Sequence, residues 1–342
     1  ALSDRFGRRP VLLLGFMGLG VSFFGTALTP NLWGLIAVRT LGGAMQANAA
    51  IANAYVADIT EADKRAKRFG LLGAMMGLGF IVGPVMGGLL GAINLKLPFW
   101  VAGGLAMLNL AYGYFVLPES LPTDQRKPMR WAAANPVKAF RDLTQLKGVG
   151  ALVGVVVFSG LAQFILYTSW VLYNTFKFGW GPLENGWSLA VVGVVSVLVQ
   201  GVLMGRLIKR FGPQRLAIMG LISSVMSYTL WGAASEGWMM YAVIAFNLLG
   251  GTVAASVQSL ISSAADSKSQ GQTLGSVSAL NGLMAVIAPL IATPLLATVS
   301  HLPQGDWRIG APFYFCALLQ VVSLGLAVRY LKAHPNLSAI QQ

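Results

Sequence analysis

A chain of 342 residues that is 56% hydrophobic and only 10% charged is excluded from the ordinary soluble domains, in which roughly a quarter of residues carry charge. Its lone cysteine, Cys316, excludes an internal disulfide, and its two histidines, His301 and His334, form no metal-ligand cluster. The formal charge of +13 invites a nucleic-acid reading, but the placement of the charges decides against it, as shown below.

A membrane-spanning helix needs about 20 consecutive apolar residues. Ten such runs are predicted, at 10–29, 32–56, 69–92, 98–117, 149–174, 185–207, 214–233, 237–262, 272–297 and 310–331. Before the first lies a charged turn holding Asp4, Arg5, Arg8 and Arg9. An anion is stabilised near a helix N-terminus, and Asp4 directly precedes a predicted one. The second run carries Arg39, the one formal charge well inside a span. Such a charge must face the bundle interior or water and find a partner, a ligand-facing role or backbone carbonyls. Gln46 and Asn53 follow Arg39 at steps of seven, so a polar, cavity-facing stripe is predicted there.

A basic loop with Asp58 and Arg65 leads to the third run, where glycines recur from Gly77 to Gly91 around Pro84. Small residues let membrane helices approach closely, and proline removes a backbone donor and bends the helix. Residues 118–148, with Pro118, Pro122, Pro128 and Pro136, read as a linker. Within it, Val137, Phe140 and Leu143 repeat at helical spacing, fitting either a surface-lying helix or a solvated linker. In the next run Gln163, Tyr167, Trp170 and Asn174 share one helical face. That face suits a cavity for a large, partly apolar ligand. Trp170, with Tyr173 and Trp180, equally suits an interfacial aromatic belt. Gln200, Asn247, Gln258 and Asn281 are further amides in apolar runs, either helix–helix hydrogen bonds or ligand contacts. None of the eleven Asp and Glu lies deep in a run.

Alternate loops differ sharply in basic residues. Of the 24 Lys and Arg, 20 fall on one side and only Lys96, Lys177 and Arg308 on the other. The positive-inside rule makes the first set cytoplasmic, with the linker and the C-terminus. The charge is therefore a topology signal. Arg5-Phe6-Gly7 and Arg210-Phe211-Gly212 are related by an offset of 205, which also pairs Gly70 with Gly275 and Pro84 with Pro289. A shared offset argues for a duplicated unit of six helices, a known plan of membrane transporters. The expected organisation is a partial N-terminal bundle (1–117), a cytoplasmic linker (118–148), a C-terminal bundle (149–335) and a tail (336–342). On this count two helices of a twelve-helix protein precede the first residue.

Leu2-Ser3-Asp4-Arg5-Phe6-Gly7-Arg8-Arg9 resembles the loop signature of the major facilitator superfamily, and Arg39 with Gly42-Gly43 resembles its fourth-helix signature. Gly79, Gly83, Pro84, Gly87 and Gly88 resemble the fifth-helix signature of proton-coupled drug exporters, and Pro118-Glu119-Ser120 a common ending of the sixth helix. Ala57-Asp58-Ile59-Thr60, Arg65, Trp170-Val171-Leu172 and Ser188-Leu189-Ala190 look like bacterial tetracycline:proton antiporters. The chain departs from them at Ser22, Ser196 and Ser223, where an acid, a histidine and an acid are expected.

The resemblance implies an all-α membrane protein of the major facilitator fold, with two pseudo-symmetric six-helix bundles. It further implies proton-coupled efflux of a drug-like amphipathic compound by alternating access, in a bacterial inner membrane. A gate is implied at Asp4, Arg5, Arg8, Arg9, Asp58 and Arg65, and coupling at Arg39. A cavity is implied at Gln46, Asn53, Gln163, Tyr167, Trp170, Gln200 and Asn281. The expected partners are a small molecule, protons and lipid, with a monomer, no metal, no cofactor and no enzymatic activity. The proton-carrying carboxylate is expected in the two preceding helices. A metabolite symporter of the same fold, or a chain inert without those helices, are the alternatives.

Overall fold

A computed structural model describes residues 2–45, 48–61, 64–122, 124, 126, 150–264 and 270–333. Among these no strand occurs. The contacts divide the chain into two units, Ala1–Ala134 and Asn135–Gln342, each considered by itself.

The first unit holds α1 (Leu2–Phe6), α2 (Arg8–Leu28), α3 (Leu32–Met45), α4 (Asn48–Ile59), α5 (Arg65–Ile93) and α6 (Leu97–Val116). The predicted run 32–56 falls on α3 and α4, with Gln46 and Ala47 between them outside the described residues. α2 packs chiefly against α6 and α3. Glycines bring these helices together. A Cβ on Gly103 would meet Phe24, and one on Gly42 would strike Ser22. This crossing explains the serine where the resemblance implies an acid, because Ser22 is buried with α3 directly over it. The expected close packing along α5 is not seen within this unit. A Cβ on Gly79, Gly83 or Gly87 would meet nothing within 4 Å. Gly88 and Gly91, one helical turn apart, are the buried pair instead.

The second unit holds α7 (Gly150–Phe178), α8 (Pro182–Val197), a π-helical segment (Leu198–Leu203), α9 (Met204–Ala233), α10 (Gly237–Phe246), α11 (Val253–Ala264), α12 (Gln270–Val299) and α13 (Ala311–Ala333). α7 packs on α12 and α13, and α9 on α13 and α11. The runs 185–207 and 214–233 follow one helical path from Pro182 to Ala233, broken only at Gly212 (φ 71°, ψ 159°). Gly7, 205 positions earlier, breaks the chain in the same conformation (φ 102°, ψ 156°). Left-handed φ is available to glycine at little cost, so the sequence repeat is also a backbone repeat. Pro84 and Pro289, paired by the same offset, both lie inside long helices, α5 and α12.

The run 237–262 is not one helix. It bends by 50° between α10 and the segment from Gly250, with a 3-10 turn at Gly250–Thr252. Seven described helices are long and apolar enough to cross a membrane, and this bent pair makes an eighth. The linker residues Val137, Phe140 and Leu143 lie outside the described residues.

Candidate charge cluster and transport cavity

Two arrangements stand out, one in each unit. At the end of α2 in the first unit, the Arg8 guanidinium gathers three side chains. Its Nη1 donates to Asp4 Oδ1 at 2.6 Å and Ser3 Oγ at 2.7 Å, and its Nε to Asp58 Oδ2 at 3.0 Å. A planar fork of donors serves several acceptors at once, which an ammonium cannot. Ser120 Oγ also donates to Asp58 Oδ2, and Tyr55 donates to the Pro118 carbonyl. The ends of α2, α4 and α6 are thereby tied together. Arg9 turns the other way, onto the Tyr114 carbonyl and ring. Arg5 lies over the Phe6 ring. The Arg65 side chain lies outside the described residues.

Asp4 lies in the first turn of α1 and not at the start of α2. It pairs with Arg8. The carboxylate at the amino end of α2 belongs to Glu119, which accepts from the backbone N–H groups of Arg8 and Arg9. The signal was present in Pro118-Glu119-Ser120, but a contact across 111 positions leaves no local pattern.

Arg39 projects from α3 with its guanidinium 6.0 Å from the Phe23 ring centre and 5.5 Å from that of Phe99. Two aromatic faces thus supply the partner its position demands. Asn53 is exposed on α4.

Within the second unit lies a cavity of about 490 Å³. It collects Gln163, Tyr167 and Trp170 from α7, Gln200 from the π-helical segment, and Asn281 from α12. All five were singled out in the sequence. Asn247 and Gln258 join them. Asn174 does not, being fully buried away from the cavity. No charged residue is among the described lining residues. Trp170 is a wall residue rather than a belt residue. It is 3% exposed, packs edge-on to Trp231 at 5.3 Å, and donates its indole N–H to Ser188 Oγ. Tyr173 is likewise buried, its hydroxyl on the Trp231 carbonyl.

The π-helical segment and the α10 break both open onto this cavity. The π-helical segment carries Gln200, and the α10 break carries Asn247, Gly250 and Gly251. Irregular backbone at membrane depth is tolerated where it lines a cavity. Small residues seat the break, since a Cβ on Gly220 would approach the Leu249 carbonyl at 2.7 Å. Ser223 Oγ donates to Asn247 Oδ1 at 3.3 Å, and Ser196 lines the cavity. Sequence reasoning missed Ser159, Tyr228, Trp231 and Gln320 as lining residues. Gln320 had a readable signal as the single amide in its run.

An uncharged cavity within a spanning bundle and a charge cluster at helix ends define a membrane transport protein. The Major Facilitator Superfamily matches the chain over residues 1–289 and again over 152–341. The chain is 39% identical to the class C tetracycline resistance protein of Escherichia coli, covering 93% of this chain and 80% of that protein. It is 33% identical to the class D protein of Salmonella ordonez, covering 91% and 79%. The crystal structure of a POT family transporter in complex with 5-aminolevulinic acid superposes with a TM-score of 0.73 over 98% of this chain and 83% of that one, at 14% identity, a likeness of fold. The chain belongs to the Major Facilitator Superfamily.

Proposed function

We propose that this protein is a proton-driven efflux transporter of amphipathic, polycyclic drug-like compounds of the tetracycline class. The observation that carries the reading is the uncharged cavity of about 490 Å³, walled by Trp170, Trp231 and Tyr167 and edged by amides. Aromatic walls with a few directed polar groups suit a large, partly apolar ligand. The tetracycline resistance relatives support the substrate class. Alternating access about a midplane site is the transport plan of such duplicated bundles. The Arg8–Asp4–Asp58 cluster is the gate latch, held on the cytoplasmic side by the basic-loop asymmetry. The protein works as a monomer in the inner membrane, needs no cofactor, and performs no enzymatic reaction.

The test uses inverted membrane vesicles carrying a preset pH gradient. Tetracycline is expected to dissipate the gradient only in vesicles containing the protein. If neither tetracycline nor a panel of amphipathic drugs does so, the exporter reading fails.

A further inference from the structure

We infer that Gln320 is a specificity-determining residue of this cavity, its side-chain carbonyl accepting a hydrogen bond from a hydroxyl or N–H of the transported molecule. The inference rests on reading the second-unit cavity as part of the substrate site. Most of α13 is scaffold. Phe313, Cys316 and Leu319 are buried in the unit's aromatic core. Gln320 is the exception, since it is 2% exposed and yet lines the cavity.

Its amide is held but not satisfied. Nε2 donates to Ser159 Oγ at 3.2 Å, while Oε1 is buried and has no partner among the described residues. A buried amide carbonyl left without a donor is costly, and such groups are uncommon. The surroundings are polar in the same small area. Tyr228, also buried, directs its hydroxyl toward Gln163 Oε1 at 3.5 Å. Ser159, Gln163, Tyr228 and Gln320 all line the cavity. The cavity's other amides, Gln200, Asn247, Gln258 and Asn281, come from other elements, and Gln320 is the one whose buried carbonyl has no partner among the described residues.

The terminal torsion of a glutamine is broad and weakly restrained. A small rotation brings the carbonyl to the cavity surface, and a ligand donor supplies the missing bond. Because no charged residue is among the described residues that line the cavity, the recognised edge is an uncharged donor: an alcohol, enol, phenol or amide N–H. A site built to bond such a group discriminates against an analogue that lacks it.

The test titrates the purified protein in detergent with tetracycline and with a series of analogues each lacking one hydroxyl or the amide N–H. Quenching of tryptophan fluorescence is the signal, since Trp170 and Trp231 line the cavity. Gln320→Met keeps the length and removes the acceptor. It should weaken tetracycline binding roughly 3- to 10-fold, the worth of one such bond. The penalty should vanish for the one analogue without the donating group. An equal penalty across all analogues, or none for any, overturns the inference while leaving the substrate reading intact. If Gln320→Met loses its cooperative melt, Ser159→Ala replaces it. Releasing the amide should blunt discrimination among the analogues, and unchanged discrimination overturns the inference. A wild-type protein that shows no quenching with tetracycline sinks the substrate reading and the inference with it.

Discussion

Glu119 closes the amino end of α2 from 111 positions away, its Oε1 accepting the Arg8 backbone N–H at 2.8 Å. Its Oε2 takes the next donor, the N–H of Arg9, at 3.3 Å. Both donors are among those a helix start leaves unpaired, and the anion lies at the positive end of the helix dipole. With its backbone engaged by Glu119, Arg8 has its side chain committed to Asp4 and Asp58. One residue therefore joins the end of α6, the end of α4 and the start of α2.

Removing this cap should cost what other helix N-caps cost. Glu119→Ala is expected to lower stability by about 1 kcal/mol. Glu119→Gln keeps an acceptor oxygen and should lose less. Thermal melting of the two variants in one detergent checks this. Equal melting of wild type and Glu119→Ala would show that the contact carries no stability.

Gly7 makes the cap possible. Its φ of 102° lies where L side chains are strained, and a Cβ there would collide with the Glu119 carboxylate. Gly212 has a comparable φ of 71° but open space around it. Each Gly→Ala change incurs backbone strain of about 1–3 kcal/mol, and Gly7→Ala also displaces Glu119. Gly7→Ala should therefore melt lower than Gly212→Ala, and combining it with Glu119→Ala should be less than additive. Full additivity would rule out the steric link.

The contrast between these two glycines shows what was legible. The offset of 205 announced the repeat, and the backbone break recurs at both positions. The ten apolar runs were readable because lipid demands long charge-free helices. The 50° bend at Asn247–Gly251 and the π-helical turn at Gln200 were not, since composition there stays apolar. In the cavity, amides inside apolar runs marked Gln163, Gln200 and Asn281. Tyr228 and Trp231 carry no such mark, being aromatics within an apolar run. Asn174 matched the helical phase of Gln163 but lies beyond the cavity's end, because spacing gives a face and not a depth.

Arg8 should resist its closest replacement. Arg8→Lys retains the charge, yet one ammonium cannot reproduce the fork shared by Asp4, Ser3 and Asp58. The Arg8–Asp58 pair is only partly exposed, and a double-mutant cycle with Asp58→Asn should give a coupling of roughly 0.5–1 kcal/mol. On the proposed reading of Arg8 as a gate latch, the change should affect transport more than melting. Drug-driven collapse of a pH gradient in inverted vesicles is expected to slow several-fold in Arg8→Lys. A transport rate equal to wild type would remove Arg8 from the gate.

Lys177 should behave as a structural cation. Its side chain is buried, with Nζ donating to the Gly232 carbonyl at 2.8 Å and lying 5.4 Å from the Tyr173 ring centre. That carbonyl belongs to the last turn of α9, where a cation complements the helix dipole. Gly310 packs against the same group so closely that a Cβ would overlap it. Lys177→Met leaves the carbonyl buried and unpaired, at a cost of about 1–3 kcal/mol. The check is thermal melting, and an unchanged midpoint would mean another donor takes over.

The loop before α13 offers a pH test. Asp306 Oδ1 accepts the Arg308 backbone N–H at 2.8 Å, and Oδ2 accepts from Arg308 Nη2 at 2.8 Å. The hydrogen bond from the Arg308 side chain, then that from its backbone, holds the Asp306 carboxyl below the usual carboxylate value of 3.8. A carboxylate depressed in the folded state contributes stability that is fully present above its unfolded pKa. The contribution is lost as pH falls through the lower folded value. The 3-10 turn Trp307–Gly310 should therefore hold unchanged across the neutral and mildly acidic range and loosen only below about pH 3.8. Amide hydrogen exchange at Arg308, corrected for the intrinsic pH dependence of exchange, reads this directly. Protection should fall in that acid window and nowhere above it. Asp306→Asn should abolish the pH dependence, and a transition in Asp306→Asn matching the wild type would assign the effect to another group.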